Sequence, residues 1–188
     1  MIYGLPTTVD VCGKTYNIRT DFRTILEIIG VLNDVELSDQ ERAALVLIGF
    51  YPDIEKMPEK HRSEAIRRCF WFINGGQDQD PNEPKQPQLM DWSQDYPYII
   101  APVNRVLGHD ARSDEYLHWW TFLAAYMEIG ECTFAQIVHI RDMQKRGKPL
   151  DKSDRAWYNK NRNIVDLKHK YTDAETELLK KWGGGKNG

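Results

Sequence analysis

Residues 7–32, TTVDVCGKTYNIRTDFRTILEIIGVL, contain a change of hydrophobic period that decides the fold class. Two short alternating stretches, hinged at Gly13-Lys14, predict a β-hairpin, and their side chains are Thr7, Val9, Val11, Thr15, Tyr16 and Ile18. From Asp21 onward the apolar residues take helical spacing, with Thr20 or Asp21 as the cap and Phe22, Ile25, Leu26 and Ile29 on one face. Because two strands alone are marginally stable, we expect the hairpin to lean on helices or on another copy of the chain.

Two further helices follow in the first half of the chain. Ser38 to Glu41 forms a capping box, and residues 43–48 are apolar on nearly every side, which is typical of a buried helix. A third helix is predicted to begin at Pro58 and to end at 74–76. Its inward residues are expected to be Ala65, Ile66, Cys69, Phe70 and Ile73.

The second half also has helical spacing. The spacing predicts helices over 94–107, 114–128, 133–146, 152–163 and 172–182. Pro102 is expected to kink or split the first of these, and Thr133 to cap the third. The sequence therefore predicts a mainly α protein with an N-terminal β-hairpin, folded as a compact helical bundle.

Four segments are predicted along the chain. Residues 1–76 hold the hairpin and three helices, and residues 91–182 form an aromatic-rich helical region. Between them, residues 77–90 are expected to be a flexible loop, because QDQDPNEPKQPQ has three prolines and no apolar side chain to bury. Residues 183–188, GGGKNG, are expected to be a disordered tail.

Composition limits the partners and the location of the protein. The 188 residues carry a net charge of -3, which does not favour a general attraction to nucleic acid, so protein partners are expected instead. The three cysteines are odd in number and contain no CxxC pair, which argues against a disulfide framework or a zinc site. No stretch approaches the roughly 20 apolar residues of a membrane span, so we expect a cytoplasmic protein without a membrane partner.

Catalytic motifs are missing from the sequence. There is no GxSxG elbow, no GxxxxGK[ST] loop and no GxGxxG after a strand, and the five histidines form no HExxH. We therefore predict that the protein is not an enzyme and has no cofactor or metal. Residues 141–170 hold ten Lys and Arg against four Asp. This excess favours either a surface for an acidic protein or nucleic acid, or two amphipathic helices with a solvated basic face.

Trp119-Trp120 is the strongest candidate for a contact with a partner. Adjacent helical positions point about 100° apart, so both rings cannot enter one narrow seam. One tryptophan faces a partner, or else the helix is buried on two sides. The candidate partner-binding residues are Tyr116, His118, Trp119, Trp120 and Trp157.

Three stretches of the sequence resemble the bacteriophage gp-fifteen family, whose members occur in tail-gene clusters of phages and prophages of Gram-positive bacteria. They are LPTTVDVCGKTYNIRTDFRTIL near the start, LMDWSQDYPYIIAPVNRVLGHD, and EYLHWWTFLAAYMEIGECTFAQIVHIRDM. The resemblance covers most of residues 5–163. It implies a tail assembly chaperone that keeps the long tape-measure protein soluble in the host cytoplasm until tail-tube subunits polymerise.

The resemblance also implies the partners. The tape-measure protein is the expected client, the major tail protein is a further candidate, and self-association is expected. Two alternatives remain: a structural head-tail or tail component retained in the virion, and a nucleic-acid-binding phage protein that uses the basic 141–170 region.

Overall fold

The computed structural model describes residues 4–78 and 86–168. Its strands and helices, in chain order, are β1 Thr8–Val11, β2 Lys14–Asn17, α1 Phe22–Leu32, α2 Asp39–Phe50, α3 Arg62–Ile73, α4 Trp92–Leu107, α5 Trp119–Met127, α6 Thr133–Lys145 and α7 Lys152–Val165. Short 3₁₀ turns at Ile54–Lys56, Glu59–His61 and Ala111–Ser113 link some of them. The predicted helix at 172–182, the tail at 183–188 and residues 79–85, half of the predicted 77–90 loop, lie outside the described residues.

The hairpin turns one residue earlier than predicted. Cys12 and Gly13 both have positive φ, 50° and 76°, and Lys14 already pairs with Val11. A two-residue turn with positive φ at both positions matches the right-handed twist of the strands. Val9, Val11 and Tyr16 are buried and β1 packs on α3, so the expected support by a helix is confirmed.

The start of α5 was predicted too early. Residues 114–118 are not helical, because backbone groups at this point form hydrogen bonds with the chain segment at the start of α1. The Phe22 N–H donates to the Leu117 carbonyl at 3.0 Å, and the Trp119 N–H donates to the Thr20 carbonyl at 2.7 Å. Asp21 caps α1 by accepting from the Arg23 N–H, which decides between the two predicted caps.

The capping box of α2 is confirmed, but its predicted burial on every side is wrong. Ser38 accepts from the Glu41 N–H, and the Glu41 carboxylate accepts from the Ser38 N–H. Val46, Leu47 and Phe50 are buried against the rest of the chain. On the opposite face Leu45 is 42% and Ile48 is 55% exposed. Within the part of the chain that the structure describes, only one side of this apolar helix is covered.

Helix α3 begins later than predicted, because Pro58 opens a 3₁₀ turn and the α-helix starts at Arg62. Ala65 and Cys69 are buried as expected. Phe72, which was not predicted to face inward, is completely buried, whereas the predicted inward residues Ile66, Phe70 and Ile73 are only partly buried. The inner face is therefore rotated toward Phe72.

Helix α4 is not split. It runs through both Pro97 and Pro102 without an interruption, although each proline removes one backbone hydrogen bond. Ile99, Pro102 and Val103 are buried, and this packing holds the turns on both sides of Pro102. Further along, α6 is capped by Cys132 and not by Thr133, since the Cys132 Sγ accepts from the Ala135 N–H.

One core draws on both sides of the 77–90 segment. Its buried side chains run from Val9 in the hairpin to Phe134 in α6. A second, smaller cluster of Ile137, Ile140 and Val165 joins α6 to α7, and Tyr98 of α4 packs against both clusters. The mainly helical fold with an N-terminal hairpin is thereby confirmed. Within residues 4–78 and 86–168, no helix combines the length and apolarity needed to cross a bilayer.

Candidate partner-binding surface

Both tryptophans of α5 are used inside the fold. The Trp119 indole N–H donates to the Ile73 carbonyl and the Trp120 indole N–H to the Phe72 carbonyl, each at 2.9 Å. These carbonyls belong to the last turn of α3, where the regular helical donors end, and the Phe72 carbonyl also accepts from the Gly75 N–H at 3.1 Å. Trp119 is 1% exposed and Trp120 is partly buried against Phe72. The arrangement therefore corresponds to the predicted alternative of a helix buried on two sides.

His118 connects the start of α5 to the N-terminal segment. Its Nδ1 accepts the Trp120 N–H at 3.0 Å and caps the helix. Its Nε2 lies 3.0 Å from the Pro6 carbonyl and must carry the ring proton to donate there. His118 is buried, so its role in this arrangement is to hold neighbouring segments together.

The two remaining candidates lie in different places. Tyr116 is 55% exposed, and its hydroxyl is 2.7 Å from the Thr20 Oγ1. Trp157 lies on α7, partly buried against the second cluster. The structure thus brings Tyr116, His118, Trp119 and Trp120 together at the start of α5 and leaves Trp157 apart, and any contact of these residues with a partner stays a prediction.

The most accessible apolar feature in this region is a groove at the other end of α5. We call it the Met127 groove; it has a volume of about 390 Å³ and is lined by Ile29, Ile73, Asn74, Gln77, Asp78, Trp92, Trp119, Leu123 and Met127. Met127 is 66% exposed, whereas Leu123 is partly buried and Trp119 forms part of the buried wall. The groove is therefore apolar along α5, with polar side chains at the end of α3.

Trp92 and Met127 were missed as site residues. Trp119, Leu123 and Met127 follow one another at intervals of four, which places them on one face of a helix. This spacing could have indicated the stripe. Trp92 had no such signal, because it reaches the groove from α4, with its ring centroid 5.9 Å from that of Trp119.

Arg141, counted in the basic segment, is buried and paired. Its guanidinium contacts both carboxylate oxygens of Asp95, at 2.7 and 3.0 Å. The remaining donors reach the carbonyls of Leu89, Ile164 and Val165, so all five N–H groups have acceptors. This residue joins α4, α6 and the end of α7.

Two arginines of the basic segment pair with acids of the same segment. Arg146 pairs with Asp142 at 2.7 Å and Arg162 pairs with Asp166 at 2.9 Å. Both acids belong to the four Asp counted for residues 141–170, so the excess of basic residues is reduced only by the burial of Arg141 beside Asp95. A solvated basic face and a surface for an acidic partner or nucleic acid both stay predictions for this segment.

Three titratable groups of the described residues are perturbed or hydrogen-bonded by their surroundings. His61 Nδ1 lies 2.9 Å from the Tyr16 hydroxyl, and the hydrogen bond to Asp114 raises the pKa of His109. Burial raises the pKa of the Cys69 thiol to about 12, which keeps it protonated at neutral pH. Across residues 4–78 and 86–168, no three His, Cys, Asp or Glu side chains come together in a way that could hold a metal ion.

The fold and the groove define a mainly helical protein with an apolar, aromatic-walled cleft beside its central helix. Residues 1–167 match the family model described as Bacteriophage Gp15 protein, and the chain belongs to that family. The resemblance seen in the sequence is thus confirmed. No curated protein and no solved structure matches the chain.

Proposed function

We propose that this protein is a non-enzymatic tail assembly chaperone that binds the tape-measure protein in the host cytoplasm. The observation that carries the proposal is the Met127 groove, where a highly exposed methionine stands beside Leu123 and Trp92. Methionine adapts its shape to different apolar surfaces and is common at surfaces that bind varied helices. Membership of a bacteriophage family supports a viral client.

The size and chemistry of the groove suit an amphipathic helix. A volume of about 390 Å³ accommodates one or two large apolar side chains presented by a helix at i and i+3 or i+4. Before assembly, a tape-measure chain is expected to expose many such helices. Copies of this protein bound side by side would each contribute a weak contact, so the coat protects the client and remains displaceable by tail-tube subunits.

Co-expression with the tape-measure protein tests the proposal. The wild-type chain is expected to move the client into the soluble fraction and to co-purify with it. Met127→Asp places a charge in the groove and is expected to weaken client binding about tenfold or more, as for a central contact residue. Val106→Asp is the matched control, because Val106 is an exposed apolar residue of α4 outside the groove lining.

Three results would contradict the proposal. Client solubility that does not change with the wild-type chain removes the chaperone activity. Equal effects of Met127→Asp and Val106→Asp remove the groove from the interface. Stoichiometric amounts of the chain in purified mature virions, measured by mass spectrometry, favour the structural tail component instead.

A further inference from the structure

The outer face of α2 is an apolar stripe that residues 4–78 and 86–168 leave uncovered. Ala44, Leu45 and Ile48 lie in the middle of this face, and all three are exposed. A helix that is apolar nearly all round is normally buried all round. Here Val46, Leu47 and Phe50 are buried within the fold, whereas the described residues leave the outer side open to another molecule.

The two ends of this stripe carry opposite charges. Glu41 lies on the same face as Ala44 and Ile48, one turn toward the N-terminus. Hydrogen bonds from the Ser38 side chain and backbone lower the pKa of Glu41, which keeps it ionised at neutral pH. At the other end Arg19 is exposed and donates from Nη1 to the carbonyls of Ile48 and Gly49, at 2.7 and 2.9 Å.

We propose that a second copy of this chain docks on the α2 stripe, with the two α2 helices antiparallel about a twofold axis between Ala44 and Leu45. In that arrangement Glu41 of each copy faces Ile48 and Arg19 of the other, because the positions are symmetric about the axis. A parallel arrangement would set Glu41 beside Glu41 and leave Arg19 beside Arg19. Charge complementarity therefore selects the antiparallel pair, which is the self-complementary contact of a twofold dimer.

The pairing is also favourable for the helices themselves. Glu41 and Ile48 are separated by about 10 Å along the helix axis, so the apolar middle and both charged ends fit within two facing turns. Antiparallel helices also place the positive N-terminal end of each dipole beside the negative C-terminal end of the other. The stripe is short, so the dimer is expected to be weak and dependent on concentration.

Sedimentation of the purified full chain, without client, tests the dimer. The wild type is expected to shift from monomer to dimer as its concentration rises. Ile48→Lys and Leu45→Lys are each expected to raise the dissociation constant about tenfold or more. Val106→Lys is the matched control and is expected to leave the dimer unchanged, since Val106 is similarly exposed on α4.

Cysteine crosslinking tests the geometry independently of stability. In a Cys12→Ser background, Ala44→Cys lies next to the proposed axis and is expected to form an intermolecular disulfide under mild oxidation. Gln40→Cys lies away from the axis and is expected to remain reduced, because its counterpart in the other copy would be near Gly49. Crosslinking at Gln40 as strongly as at Ala44 would overturn the antiparallel register.

Further results decide whether the chain dimerises through the α2 stripe. A wild-type chain that stays monomeric at the highest soluble concentration overturns the proposal, as does an oligomer that Ile48→Lys and Leu45→Lys leave intact. Loss of client capture in Ile48→Lys, with an unchanged oligomeric state, assigns the stripe to the client and overturns the dimer. A dimer without any chaperone activity would refute the proposed function and leave this inference standing.

Discussion

Helices α2 and α5 have a similar apolar pattern but are buried to different extents in the fold. Both carry apolar residues on nearly every side, yet α5 is packed against α1, α4 and the end of α3, whereas α2 exposes Leu45 and Ile48. The difference in burial between the two helices depends partly on the polar atoms of their side chains. The indole N–H groups of Trp119 and Trp120 find carbonyls at the end of α3, so burial leaves neither donor unpaired.

An apolar helix face is expected to be covered, but its apolarity does not show which molecule covers it. At the Trp119–Trp120 end of α5 the cover is supplied by the same chain, whereas Met127 in its last turn stays 66% exposed. For α2 the described residues supply half of the cover, and the Glu41 and Arg19 ends favour the proposed second copy for the rest.

Replacing the buried Trp119 is expected to have the largest effect on stability and to test the difference in burial between α5 and α2 most directly. Trp119→Ala removes a ring that is 1% exposed and leaves the Ile73 carbonyl without its donor. The free energy of unfolding is expected to fall by about 3–5 kcal/mol. Urea denaturation followed by circular dichroism measures it, and Ile48→Ala on α2 is the control, with an expected change within about 0.5 kcal/mol. Similar losses in both variants would contradict the difference in burial.

A polar pair sharpens the same contrast between buried and exposed positions. Arg141→Met leaves the buried Asp95 carboxylate without its cation, and a loss of stability of about 3–5 kcal/mol is expected. Arg146→Met is the matched control, because the exposed Arg146–Asp142 pair is worth at most about 1 kcal/mol. The double variant Asp95→Leu with Arg141→Met should recover part of the loss, because no unpaired carboxylate is left, although the carbonyls of Leu89, Ile164 and Val165 still lack the Arg141 donors. A double variant less stable than Arg141→Met alone would contradict the unpaired carboxylate as a cause.

The smallest expected effect comes from Trp120. Trp120→Phe keeps an aromatic ring near Phe72, but it removes the donor to the Phe72 carbonyl and part of the ring that contacts Trp71. A loss of about 1 kcal/mol is expected, because the Phe72 carbonyl keeps the Gly75 N–H as a donor, and urea denaturation again measures it. A change indistinguishable from zero would mean that water replaces the indole N–H, and that α3 does not need this cap.

The candidate surfaces were only partly accessible to sequence reasoning. Trp119 and Trp120 were predicted to contact a partner, which stays a prediction, and their hydrogen bonds to α3 had no signal because they join residues 46 and 48 positions apart. Arg141 follows Ile137 by four residues on the buried face of α6, so its position was a signal. Its pairing with Asp95 had no signal in the sequence, because the two residues are 46 positions apart in the chain.

The sequence by itself determined the local structural features of this protein. The hairpin, a cap of α1 at Thr20 or Asp21 and the capping box at Ser38 each depend on groups within a few residues of one another, so the hydrophobic period and the side chains predict them. The tertiary structure alone decided where α5 begins, since residues 117–119 use their backbone on residues 20–22, about a hundred positions away. It also decided which faces stay open, because burial depends on the packing of distant helices.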